Sequence, residues 1–553
     1  MNKIPTEHLE DIDSVHDELR VTKSKVGVSG TVQLTAGSIV YIPAPTADPQ
    51  DPLNMPIWKK LMVLICISLC KSITLSSTSI ERLSTIGLAL VSGFGGLLGF
   101  YIPDYAAAGK DYADITALMT FPTLTMGIGN LIGMPIAIAV GRRPVLLAAT
   151  AVMLASAGLC AGATNYDWHL AARMLLGLAA GQSEALVPMI TQEIFFLHER
   201  ARYLMIQQTI QTIATGVFVL FASPIAAAIT PAWWYGLGSI LSGVSFFMAV
   251  LFVPETKYDR PASAYQEDAP ESDPEGDADG KPSTAFNVCT ERPPLDYENY
   301  EARTFRSDLR LIIGKPEWRK AVETLIQSFQ LLLFPNVFWA MCLNGLTLGV
   351  NIAIGTTYGS IMTAAPYNWP QSSVSYVNIG QIVTSLIALP MFGYGSDILI
   401  KWFAGRRNGI HEPEVRIIPL FFPIIVGVFT AVLYGQAAAH PERYHWFTFV
   451  WAVAAYYFTF IAANIVAITY LLDSYPQRAS PLLIIICAFR GIISFGVSYG
   501  IQPFINLRGY DGAFAVFAAL TGVFGVLGVG IFIFGKNIRL VTGRYALDKE
   551  KAA

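Results

Sequence analysis

Long apolar runs alternate with short polar breaks along most of this chain, and they set its architecture. A helix needs roughly 20 apolar residues to cross about 30 Å of hydrocarbon. Runs of that length predict helices over residues 112–140, 144–163, 167–191, 203–228 and 231–253, then over 333–360, 372–396, 416–437, 445–472, 480–503 and 512–534. The first run is irregular. Leu61–Leu69 is apolar but too short, polar residues including Lys71, Glu81 and Arg82 interrupt it, and Leu88–Ile102 resumes it. Removing 71–87 would fuse the pieces into one helix of about 25 residues, a normal span. With that span counted, the pattern predicts an all-α multi-pass membrane protein of twelve transmembrane helices, arranged as two pseudo-symmetric six-helix halves.

The predicted order is a disordered cytoplasmic tail (1–57), a first half (58–254), an acidic solvated linker (255–323), a second half (324–535) and a short cytoplasmic tail (536–553). Segment 71–87 is a surface insertion or, as a hypothesis, an intron retained in the gene sequence. Codons TGT-AAG for Cys70-Lys71 would create GTAAG, and ATA-GGN for Ile86-Gly87 would create TAG. An mRNA that carries these codons would sink the intron reading.

With 53% hydrophobic and only 14% charged residues, the composition fits a bilayer-embedded chain, since soluble proteins carry about a quarter charged residues. A net charge of −3 gives no reason to expect nucleic acid as a partner. Five of the six cysteines lie in apolar runs and Cys289 in a polar one, without a CxxC pair, so they read as small core residues. The polar N-terminus holds no cleavable signal peptide; the first span would direct insertion. Lys and Arg, among them Arg142, Arg143, Arg406, Arg407 and Arg416, gather at one set of span ends. The other set holds only Lys110, Arg443 and Arg508. The positive-inside rule then places both termini in the cytoplasm.

Span four carries two charges in an apolar, glycine-studded run: Arg173 and Glu184. A charge at that depth costs of order 2.5–3.5 kcal/mol on insertion scales and marks a protein interior or a watery path. The two lie eleven positions apart, so they share a face within roughly 20° but stand about 16 Å apart along the axis. That distance excludes a direct salt bridge and makes them separate stations, each with a partner on another helix. Gly177 and Gly181 share the face and predict close approach of a neighbouring helix. Arg490, deep in span eleven, also requires a partner. Glu193, beside His198, Glu199 and Arg200, reads as a solvated helix end. HExxH, a P-loop GxxxxGK[ST] and an arguable Ser/His/Asp set are absent from the sequence, which excludes ATP-driven transport by that motif and offers no enzyme constellation or cofactor.

The loops after spans two and eight read GMPIAIAVGRRPVLL and GYGSDILIKWFAGRRNG. In equivalent places, they resemble the signature G-x-x-x-D-R-x-G-R-R of the major facilitator superfamily. The first keeps Gly141, Arg142 and Arg143 but has Ile138 and Ala139 where Asp and Arg stand in the signature. The second keeps Asp397, with Arg406 and Arg407 farther on. The resemblance implies a cytoplasmic gate at these residues, with more of its weight on Asp397. Arg173 and Gly177 match the R-x-x-x-G of the antiporter branch, whose arginine relays a proton. With QEIFFLHERAR, DPLNMPIWKK, FVPETKYDR and YLLDSYP, the chain resembles fungal members of the drug:proton antiporter group, including polyamine-transporting relatives.

The span-five antiporter motif is poorly kept, with alanines after Ser223-Pro224, and Val253-Pro-Glu-Thr-Lys resembles the PETKG of sugar carriers. In this fold spans one, four, seven and ten line the cavity. That adds Asn344, Thr347 and Asn351 of span seven and Tyr457, Asn464 and Asp473 of span ten as candidates on the proton or substrate path. The expectation is a monomeric secondary transporter in the cell membrane, driven by protons through Glu184, exporting a drug-like compound, toxin or secondary metabolite. Uptake of polyamines or other organic cations is the alternative, and a non-transporting receptor or scaffold on the same fold is the reading from another class.

Overall fold

The computed structural model describes residues 32–33, 46–68, 89–91, 93–258, 295–298, 300, 302–312, 315–406, 410–475 and 478–547. Among them, eleven helices are long and apolar enough to cross a membrane. They are Tyr112–Val140, Arg142–Ala161, Tyr166–Ile194, Ile206–Ala228, Pro231–Phe252, Pro335–Thr363, Gln371–Ile400, Pro413–Ala439, Phe447–Ser474, Ala479–Tyr499 and Ile501–Thr542, numbered here as spans two to twelve.

Span one is built from separate pieces. Helix Ile57–Ser68 packs at the termini end of the bundle, with Val63, Leu64 and Cys66 among Ala185, Met189 and Ala249. Residues 89–91, the 3-10 turn Gly93–Gly96 and helix Leu98–Ala107 take the opposite end, with Leu90 and Phe94 among Leu176, Ala180 and Trp234. Both pieces therefore fill one column beside spans four and six. Segment 71–87 lies outside the described residues, as do most of the predicted tail and the linker's centre.

Three expected boundaries shift, each for a visible reason. The end of the N-terminal tail is docked: Asp51 caps the turn Pro52–Asn54, and Lys60 donates to Leu53 O at 2.8 Å. The linker's two ends are also docked, and helix Trp318–Leu331 begins inside it. Span twelve continues as helix to Leu547, bent at Gly509, because Arg539 is held by Glu414 and Thr542 by Tyr475. Beyond helix, residues Val32–Gln33 pair antiparallel with Ile410–His411.

Two glycines of span four do what their shared face predicts. A Cβ at Gly177 would lie 2.2 Å from Pro122 O, and one at Gly181 2.0 Å from Met126 O, so span two passes backbone to backbone. The halves meet in the same way. A Cβ at Gly127 of span two would lie 2.5 Å from Ala488 O, and one at Gly491 of span eleven 2.7 Å from Gly127 N.

Candidate functional site

A cavity of about 160 Å³ lies between the halves, lined by Glu184, Gln211 and Thr215 from the first and Asn351, Tyr457 and Arg490 from the second. Its two charges meet. Arg490 Nη2 of span eleven donates to Glu184 Oε2 of span four, and both side chains are nearly buried. Arg490 Nη1 donates to Asn464 Oδ1 at 3.0 Å, and Asn344 Nδ2 donates to the same oxygen at 3.0 Å. A low-dielectric wall makes such a pair strong and makes either charge alone costly. The partner Arg490 requires is thus Glu184. Of the candidates, Glu184, Asn351, Tyr457, Asn464 and Arg490 line the cavity, while Asn344 stands behind Asn464 and orients it.

Arg173 is elsewhere. It is fully buried in the first half: Nε donates to Leu118 O at 2.6 Å, Nη1 to Leu90 O at 3.3 Å, and Nη2 to Val91 O at 3.0 Å. Nη1 also donates to Tyr235 Oη, and the guanidinium lies 4.2 Å over the Phe94 ring. Tyr235 and Tyr105 hold both nitrogens of the buried His169, at 3.1 and 2.8 Å. Arg173 therefore fastens spans one, two, four and six together at the point where span one departs from regular helix. Its partners are carbonyls, a phenol and a ring, not the acid a relay would use.

Asp473 is also away from the cavity, paired with Arg416 at the termini end. Its counterpart in the first half is Glu193, which receives Arg142 Nη2 at 2.6 Å and Thr256 Oγ1 at 2.7 Å and so is not a solvated helix end. Each acid is the next-to-last residue of its helix, and each arginine lies within the first four residues of the span before it, so the internal repeat shows in this pair of latches.

The first half, though it lacks the signature's Asp, builds a charge network from other residues. Glu255 accepts the backbone N–H groups of Arg142 at 2.9 Å and Arg143 at 3.1 Å, capping span three. Gly141, at φ 137°, makes the abrupt turn there, and a Cβ on it would strike Glu255 Oε2 at 2.3 Å. Arg143 donates to Val250 O at 2.6 Å and Arg310 O at 3.1 Å, binding the linker to spans three and six. In the second half, Arg539 and Glu414 form a buried two-point pair at 2.8 Å. The side chain of Asp397 and residue Arg407 lie outside the described residues, and Arg406 is exposed, 3.9 Å over Trp402.

The end opposite the termini is sealed between the halves. Ser223 and Ser375 meet Oγ to Oγ at 2.6 Å, Ser223 donates to Gly96 O at 2.7 Å, and Tyr112 donates to Thr356 O at 3.2 Å.

Sequence reasoning missed Gln208, Gln211, Thr212 and Thr215, all facing the cavity from span five. Their spacing places them within about 100° on one face, a polar stripe in an apolar helix that was readable.

The chain is 23% identical over 546 residues to an uncharacterized MFS-type transporter of Schizosaccharomyces pombe, covering 92% of this chain and 89% of that one. It is 22% identical over 565 residues to Protein HOL1 of Saccharomyces cerevisiae, covering 93% and 92%. A crystal structure of the human organic anion transporter MFSD10 shares the fold, with a TM-score of 0.53 at 12% identity over 86% of this chain and 100% of that one. The sequence profile of the Major Facilitator Superfamily matches residues 84–481, more than half of the chain. With the two-half bundle and its cavity, that match makes the chain a membrane transporter, and it belongs to the Major Facilitator Superfamily.

Proposed function

We propose that the chain is a proton-coupled exporter of a small organic compound, cycling by alternating access between its two halves, with both termini in the cytoplasm of a fungal cell. The observation that carries this reading is the Glu184–Arg490 pair, which ties span four to span eleven across the cavity wall. Glu184 can be neutralised by Arg490, by a proton or by a cationic group on the substrate. Each of the last two displaces Arg490 and loosens one tie between the halves. Proton and substrate then compete for a single carboxylate, which is the chemistry of exchange. The sealed end at Ser223 and Ser375 would face outside, and the arginine-rich end would face the cytoplasm.

The cargo is a drug-like compound, toxin or secondary metabolite. Both full-length relatives are fungal, and the cavity mixes amides and aromatics suited to an amphipathic molecule. A second reading is uptake of an organic cation, polyamines included. It draws on Glu184 as a cavity carboxylate that could take an ammonium group in place of Arg490.

Reconstituted vesicles test the coupling. Glu184→Gln should abolish pH-driven transport while surface expression persists, and unchanged proton dependence would remove Glu184 from the mechanism. Accumulation of candidate compounds in knockout and overexpressing cells separates export from uptake.

A further inference from the structure

Helix Trp318–Leu331 connects the linker to span seven and has three faces rather than two. Ala321, Ser328 and Leu331 are buried where it packs on spans two and eleven, which belong to different halves. Trp318, Val322, Ile326 and Phe329 form a second face and are 56%, 56%, 51% and 45% exposed. At 100° per residue these four fall within an arc of about 80°. The third face is polar: Arg319 pairs with Glu323 at 3.0 Å, and Lys320 with Glu317 at 2.7 Å. Glu317 also pairs with Lys257 at 3.2 Å, and its backbone N–H donates to Ala139 O at 3.0 Å. Hydrogen bonds from Lys320 and Lys257 hold its carboxyl below the usual carboxylate range.

Four large apolar side chains in one stripe do not belong in water, where contiguous patches of this kind mark an interaction surface. The surface beside them identifies what covers the stripe. Three residues after the helix, span seven begins, and the stripe runs on through Leu333, 82% exposed, to Phe338, 51% exposed, on the membrane-facing side of that span. The stripe is therefore continuous with the lipid-facing surface, while the charged face lies beside it, the pattern of a helix set in an interface plane.

We propose that Trp318–Leu331 lies in the lipid–water interface at the termini end, its apolar stripe seated in the acyl–glycerol boundary, as a lipid-held strap across the seam between spans two and eleven. The bilayer is its partner, and movement of one half against the other must carry this helix with it.

The test uses the full-length chain, with its native cysteines replaced, reconstituted into phosphatidylcholine vesicles. Spin labels on Val322→Cys and Ile326→Cys are compared with labels on Arg319→Cys and Glu323→Cys for access by oxygen and by a water-soluble nickel complex. Labels at 322 and 326 should collide several-fold more with oxygen, and those at 319 and 323 with nickel. Nickel access at 322 and 326 would overturn the proposal in favour of a solvent-exposed helix. Exclusion of both reagents there would overturn it in favour of a protein covering the stripe. Phe329→Cys repeats the measurement one turn on if either variant fails to assemble.

Discussion

Replacing Glu184 by glutamine leaves the Arg490 guanidinium in a nearly dry wall with Asn464 Oδ1, at 3.0 Å, as its remaining acceptor beyond the new amide. Arg490 Nε has no partner to lend, being already unmet. Removing one member of a buried ion pair costs about 3–5 kcal/mol because the other charge stays buried. The lower end applies here, since the glutamine oxygen can still accept. Arg490→Gln strands the Glu184 carboxylate in the same way and should cost roughly 3 kcal/mol as well. The double variant leaves no stranded charge, so it should be no less stable than either single one, a coupling of roughly 3 kcal/mol. Thermal unfolding of the purified protein in detergent micelles reads this as a rank order: wild type highest, then the double variant level with or above both singles. Additive losses, with the double variant well below each single one, would refute the reasoning that the two charges answer mainly to each other.

Gly181→Ala should lower the unfolding temperature markedly, because its Cβ falls 2.0 Å from Met126 O and overpacking of this kind costs about 1–3 kcal/mol. Gly158→Ala is the control, with its nearest neighbour, Ser239 Oγ, at 3.6 Å, and equal unfolding temperatures for the two would contradict the packing account. Ser223→Cys combined with Ser375→Cys places two thiols where hydroxyls now meet at 2.6 Å. Oxidation should stop transport and a reductant restore it, whereas continued transport with the disulfide formed would show that this end need not open.

Much of the architecture was legible because each apolar run obeys one rule, enough length to cross hydrocarbon, and the eleven regular spans needed nothing else. Arg490 and Glu184 were each legible as charges at costly depth, but not as partners. They are 306 positions apart and on different halves, and periodicity within one helix says nothing about which helix stands opposite. Arg173 shows the converse limit. Its depth marked it as important, yet its acceptors are backbone carbonyls, which every residue carries, so no side-chain pattern announces them. Glu193 looked like a solvated charge because it ends its helix, and Glu255 because it opens the acidic linker; only the fold brings the start of span three against them.

The meeting of Gly127 with Gly491 has a mechanical consequence. A joint made of side chains must reset rotamers whenever its two parts turn, whereas a joint of bare backbone has none to reset. Spans two and eleven can therefore tilt about this point with little change in contact, like a bearing without teeth. The same bareness leaves the bearing no slack: any side chain added there would wedge the halves apart at their common axis.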